Sequence, residues 1–326
     1  MKKVFIIILA ILLSLSVFVF TACDNNQEVT PLRFVMPDGS TALSVAKLVN
    51  DGCTIDGEKV EIEAVTANLI GTEVAGEKAD IAIMPTNAAA NIINQGGEYK
   101  IVATNSFGVL HLVGVGTPET FALNDLLGKV VVSIGQSNTP QFVFEAILED
   151  AAIDIEYGTT AIEGKVVINF VADGSGVIGA MSAGTADFGV IGEPAASVIG
   201  SKVNGVTKLF DLQEGYAHAI GVEETGFPQA ALVIKTSLLE ERPEFVEKLL
   251  VALEENIEWV NNDDNKAGLT SLLATIGSVT TFPSTSIAGC NIRLVRANSN
   301  KTEMQNYLSS LFGITLGDDA FYVTAD

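Results

Sequence analysis

The chain is poor in several residue types that carry common chemistries. Among 326 residues there are two histidines, three cysteines, one tryptophan and five tyrosines. A zinc centre usually takes three or four clustered His, Cys or carboxylate ligands. His111 and His218 each stand alone among apolar neighbours, and both read as structural residues. So few large aromatics do not furnish a stacked sugar platform or a quaternary-ammonium cage. No Gly-x-Ser-x-Gly elbow or Walker loop occurs and no dinucleotide fingerprint is recognised, so phosphoryl and hydride transfer lose their usual signatures. No catalytic residue, metal or cofactor is expected. Basic residues are scarce as well: 18 Lys and Arg face 40 Asp and Glu, a net charge of −22. Such a body repels phosphate backbones, which excludes nucleic acid as a partner. The acid is scattered rather than blocked, as on a solvated surface. What remains is globular, 48% hydrophobic with 30 glycines. At roughly 150 residues per domain the length suggests two domains.

The first residues read as an address. Met1-Lys2-Lys3 is a short basic start, and Val4 to Phe20 is apolar apart from Ser14 and Ser16. Small residues and a polar spacer follow, which together describe a secretory signal over residues 1–22. The apolar run falls short of the length a spanning helix needs. Cys23, directly after Thr21-Ala22, resembles a bacterial lipobox, in which the sulfur receives a diacylglyceryl group. Residues 23–30 would then be a lipidated tether. Cys53 and Cys290 remain near the two ends of the body, and either one bridge or two free thiols fits an exported chain.

The body alternates strands with helices. Leu32 to Met36, Lys59 to Val65 and Ile81 to Met84 read as strands, with helices over 42–49, 68–78 and from Thr86. The same order returns about a hundred residues later. Lys129 to Ile134 is a strand, Gln141 to Asp150 a helix, and Lys165 to Val171 matches Lys59 to Val65. Ala186 to Ala196 matches Ala79 to Ala89, which sets Thr86 and Glu193 at equivalent places. Such alternation predicts α/β lobes with parallel sheets covered on both faces. Lys100 to Asn105 and Val109 to Gly116 read as consecutive strands that carry the chain between lobes. Past Gly215 come a strand at Ala230 to Ile234, a long amphipathic helix from Arg242 through Val260, a strand at Asn291 to Ala297 and a last helix near 301–312. This C-terminal portion is expected to return to the first lobe, giving lobe 1 as 31–117 plus 222–326 and lobe 2 as 118–221. Phe245, Leu249, Leu253 and Trp259 fall at helical spacing, as core residues do.

In open α/β sheets, ligands sit beyond the carboxyl ends of strands. Two turns fit that place, Asp38-Gly39-Ser40-Thr41 and Gly135-Gln136-Ser137-Asn138-Thr139. Each offers a Gly, hydroxyls and a helix start whose N–H groups attract polar groups. Capping of the helices by Ser40 and Thr139 is the plainer reading of the same residues. Glu193-Pro194 would present a carboxylate acceptor for an amine or ring N–H, and Thr86-Asn87 the neutral counterpart. Asn105 and Phe107 lie near the crossover, where a ring could flank a ligand or simply pack.

Several of these stretches resemble one family: the lipobox, the run Ala79 to Ala90, Ala103 to Gly108, Leu126 to Val132 and Gly192 to Ala196 look like ABC-importer substrate-binding proteins. The likeness is nearest to the branch for sulfonates, taurine, nitrate and thiamine precursors. It implies a bilobal periplasmic-binding-protein-like fold of type II, an α/β architecture with two crossovers. It also implies a small-molecule solute at the lobe interface, ABC permease subunits as partners, and a monomer held by its lipid on the extracytoplasmic face of a bacterial membrane. In the family, turns matching Pro37 to Thr41, Thr86-Asn87 and Gly135 to Thr139, and the Glu of Glu193-Pro194, border the ligand. None of these turns contains Lys or Arg, so a zwitterion or nitrogen heterocycle suits Glu193 better than a sulfonate-like anion. A small-metabolite enzyme on the same fold and an extracellular sensor are the alternative readings.

Overall fold

The structure, a computed structural model, describes residues 30–221 and 226–323. The expected signal, Cys23 and most of the tether lie outside the described residues. From Leu32 onward the chain is one compact unit built on two sheets.

The first sheet comprises β1 (Leu32–Pro37), β2 (Thr54–Ile55), β3 (Glu58–Val65), β4 (Ile81–Pro85), β5 (Tyr99–Phe107), β12 (Pro228–Lys235) and β13 (Ile292–Arg296). Their spatial order is β13-β5-β12-β4-β1-β3-β2. The second comprises β6 (Leu110–Val115), β7 (Lys129–Ile134), β8 (Ile155–Tyr157), β9 (Val166–Val171), β10 (Phe188–Gly192) and β11 (Val206–Asp211). Its order is β11-β6-β10-β7-β9-β8. The helices that matter below are α1 (Ala46–Asn50), α2 (Ile70–Ala75), α3 (Thr86–Asn94), α4 (Thr139–Asp150), α5 (Gly174–Ser182), α6 (Ala195–Val198), α7 (Leu212–Ala219), α8 (Pro243–Asn261) and α9 (Ala297–Phe312).

The repeated sequence plan is a repeated topology. β1 pairs in parallel with both β3 and β4, and β7 does the same with β9 and β10. The repeated Ala-Asp explains why. Asp80 accepts a hydrogen bond from the Arg33 N–H and returns one from its own N–H to the Arg33 carbonyl. Asp187 makes the same reciprocal pair with Val130. Each carboxylate thus fixes the register of its strand, β4 against β1 and β10 against β7.

The sheets are mixed rather than wholly parallel. β5 runs toward the second sheet and the chain passes straight on at Gly108-Val109 into β6. β6 therefore runs against β10, and β12, coming back the other way, runs against β4 and β5. A direct crossover leaves no helix to reverse direction, which is why these strands are antiparallel. β6 belongs to the second sheet, so the passage lies at Gly108, earlier than the 117/118 boundary read from the sequence.

Both faces of the first sheet are covered. α8 buries Phe245, Val246, Leu249, Leu250, Leu253 and Val260, and Trp259 packs half-buried against the same core. Each such side chain contributes roughly 1.5–3 kcal/mol on burial. A second core runs continuously from the first sheet into the second through Leu110, Leu112, Tyr216, Phe227 and Tyr307. Cys53 and Cys290 are both free thiols, each against the α8 core, so the bridge does not form. Burial pushes the Cys290 thiol up to about 12, with the Glu193 charge adding to it.

Candidate functional site

The turn after β1 is held from within. Asp38 accepts from the Gly39 N–H, the Ser278 hydroxyl and the Val279 N–H, and Thr41 donates to the Pro37 carbonyl. Gly39 has φ 126°, a conformation open to glycine. A 3-10 turn from Ser40 leads into α1, and no side chain caps it. In the second lobe Gly135 (φ 73°) and Ser137 (φ 58°) shape the turn, and Asn138 starts α4, again without a side-chain cap. Ser40 and Thr139 therefore do not cap. Thr139 instead meets the Tyr307 hydroxyl of α9 at 3.1 Å. Ser137 donates its N–H to Gln141, and Gln136, Ser137 and Asn138 are exposed.

The two lobes touch where α3 and α4 begin. Asn87 Nδ2 donates to Asn138 Oδ1 at 3.3 Å, while Asn87 Oδ1 is buried with no hydrogen-bond partner. Thr86 is fully buried and donates to the Pro228 carbonyl at 2.6 Å. Asn105 accepts from Ser44, and Phe107 is covered by the Arg293 guanidinium, 3.8 Å from the ring centre. These last three hold the crossover rather than one another.

Glu193 lies at the end of β10, and its side chain has no exposed surface. It accepts from Lys208 Nζ at 2.7 Å, the Ser197 hydroxyl at 2.8 Å and the Ser197 N–H at 2.9 Å. His111 Nε2 stands 3.6 Å away. From the first lobe, Gly289 comes so close that a Cβ there would sit 2.9 Å from the carboxylate oxygen. Beside this cluster is a cavity of about 230 Å³. His111, Lys208 and Asp211 line it from the second lobe, and Ala288, Gly289 and Asn291 from the segment before β13. Asp211 caps α7 through the N–H groups of Gln213 and Glu214. Burial, with the Lys208 charge, holds the His111 imidazole below the ordinary histidine range, against the pull of Asp211 and Glu193. The pocket therefore presents one ammonium, carboxylates and a neutral imidazole.

Lys208 and Asp211 escaped the reading of the sequence, and His111 was read there as a structural residue. They sit on strands nearly a hundred residues apart, and antiparallel pairing sets Asp211 opposite His111. One motif was also passed over. Gly174-Ser175-Gly176-Val177-Ile178-Gly179 has the dinucleotide spacing and follows β9 into α5. Two of its glycines serve packing: a Cβ at Gly176 would meet Val171 at 2.8 Å, and one at Gly174 would meet Ala195 and Ile191 at 3.3 Å, while Gly179 has open space around it. Asp173 already accepts from the Gly176 N–H, placing a carboxylate where a phosphate would need to go. Among the described residues no cluster of metal-ligating side chains is present, and no helix is long and apolar enough to cross a membrane.

No family profile and no curated protein sequence matches the chain. Solved structures do. An ABC transporter protein from Parabacteroides distasonis superposes with a TM-score of 0.71 at 20% identity, over 91% of this chain and 100% of that one. The periplasmic aliphatic sulphonate binding protein SsuA of Escherichia coli gives 0.62 at 14% identity, over 91% and 92%. The alkanesulfonate-binding protein SsuA of Xanthomonas axonopodis pv. citri, bound to MOPS, gives 0.60 at 13% identity, over 90% and 98%. The chain therefore has the bilobal α/β fold of the periplasmic binding proteins that serve ABC transporters.

Proposed function

We propose that this protein is an extracytoplasmic solute-binding protein, which captures a small polar solute between its lobes and delivers it to an ABC importer. The supporting observation is the cavity lined from both lobes, where Lys208 and Asp211 offer opposite charges. The basic residue missing from the turns is supplied by β11, so a small zwitterion fits best. Lys208 would take its anionic end and the acidic side its ammonium, with Glu193 holding Lys208 in place. Asn87, whose Oδ1 lacks a donor, and the turns at Asp38 to Thr41 and Gln136 to Thr139 line no part of this cavity and would reach the solute only through movement of the lobes. The role is binding, with no turnover. Anchoring is through a lipid on Cys23, with permease subunits as partners.

Isothermal titration against taurine, other aminosulfonates, alkanesulfonates and pyrimidines tests this. Saturable binding of a zwitterion, weakened at least about tenfold in Lys208→Ala, supports the reading. Silence across the panel overturns it. Anchoring is tested by Cys23→Ala, which should release the protein from the membrane fraction.

A further inference from the structure

A second cavity, of about 530 Å³, lies between α7 and α9. It shares Gln213 and Gly226 with the first cavity but contains none of the charged residues assigned to the solute site. Its volume is within the roughly 300–1,000 Å³ typical of small-molecule pockets. Tyr216, Phe227 and Tyr307 form an aromatic wall, with Phe227 and Tyr307 stacked 6° from parallel at 5.6 Å and Tyr216 edge-on to Phe227. The Tyr216 residue is 3% exposed, and its hydroxyl is buried with no hydrogen-bond partner. Ser310 approaches it without reaching hydrogen-bond geometry, and burial raises the phenol pKa. An unpaired buried hydroxyl is unfavourable, and a bound acceptor or donor would satisfy it. Among the described residues the rim is hydroxyls and an amide from α9, and Glu303, which already has an interaction of its own, is the one charged residue of the lining.

We propose that this cavity is a separate binding site for a small aromatic amine. The ring lies against Phe227 and Tyr307, a polar substituent meets the Tyr216 hydroxyl, and the ammonium faces the acidic rim. An aromatic carboxylate is disfavoured because no Lys or Arg lines the cavity among the described residues. The site does not depend on the solute reading, since its walls are α7, α9 and the start of β12.

The test is titration of the full chain with benzylamine, benzyl alcohol and benzoate, followed by heteronuclear NMR. Saturable benzylamine binding, at least about tenfold tighter than benzoate and shifting resonances of α7 and α9, is the expected result. Ala217→Phe fills the cavity and should abolish binding. Thr302→Trp on the exposed rim is the second variant, should the first fail to fold. Lys208→Ala should leave benzylamine affinity unchanged, which separates this site from the solute cavity. No saturable binding, equal affinity for benzoate, or loss of binding in Lys208→Ala alone would each overturn the proposal.

Discussion

The ends of β4 and β10 occupy equivalent places in the two lobes, yet they do different work. At the first, Thr86 is neutral, buried and spends its hydroxyl on the Pro228 carbonyl, pinning the returning crossover. At the second, Glu193 is charged and buried, and its backbone N–H pins the outgoing crossover through the Val109 carbonyl. Its carboxylate is left to gather Lys208, Ser197 and His111. A duplicated scaffold therefore keeps one task, holding a crossover, and adds charge on one side alone. That asymmetry gives the cavity its polarity.

Four substitutions break or sharpen this contrast. Glu193→Ala should have the largest effect, about 3 kcal/mol of stability in urea unfolding, because the Ser197 N–H and the Lys208 ammonium lose their acceptor. A loss no larger than that of Thr86→Val would mean that the charged end is not special. Gly108→Ala, between the two ends, places a Cβ 2.5 Å from Gln213 Cγ and 2.8 Å from Phe227 Cζ. Overpacking there should cost about 2 kcal/mol, read in the same unfolding assay. Thr86→Val keeps the shape and strands one carbonyl, for about 1 kcal/mol.

The smallest effect is a pH dependence. His111 is held neutral below the ordinary range, so the folded state binds fewer protons than the unfolded one. Stability should fall as pH drops through the unfolded histidine value of about 6.5. His111→Gln should flatten that fall, and an unchanged slope would remove His111 from the account.

The alternation of elements was legible because buried strands and amphipathic helices leave local periods, and the repeated Ala-Asp marked equivalent strand starts. The long helix was readable from Phe245, Leu249 and Leu253, all buried as their spacing implied. Other features left no such mark. α5 carries three glycines in nine residues, a composition that masks a helix. α7 is short and depends on Asp211 for its start. The charged cavity was unreadable for a further reason: His111 and Lys208 meet only through pairing of distant antiparallel strands, which no local period reports. Thr139 likewise looked like a cap, but its partner Tyr307 is 168 residues away.

Hydrogen exchange with and without the tightest-binding zwitterion of the titration panel tests the central claim most directly. Capture between the lobes predicts slowed exchange on both sides at once, around Asp38 to Thr41 and Asn87 in the first lobe and around Gly135 to Thr139 and Lys208 in the second. Protection confined to one lobe would contradict it.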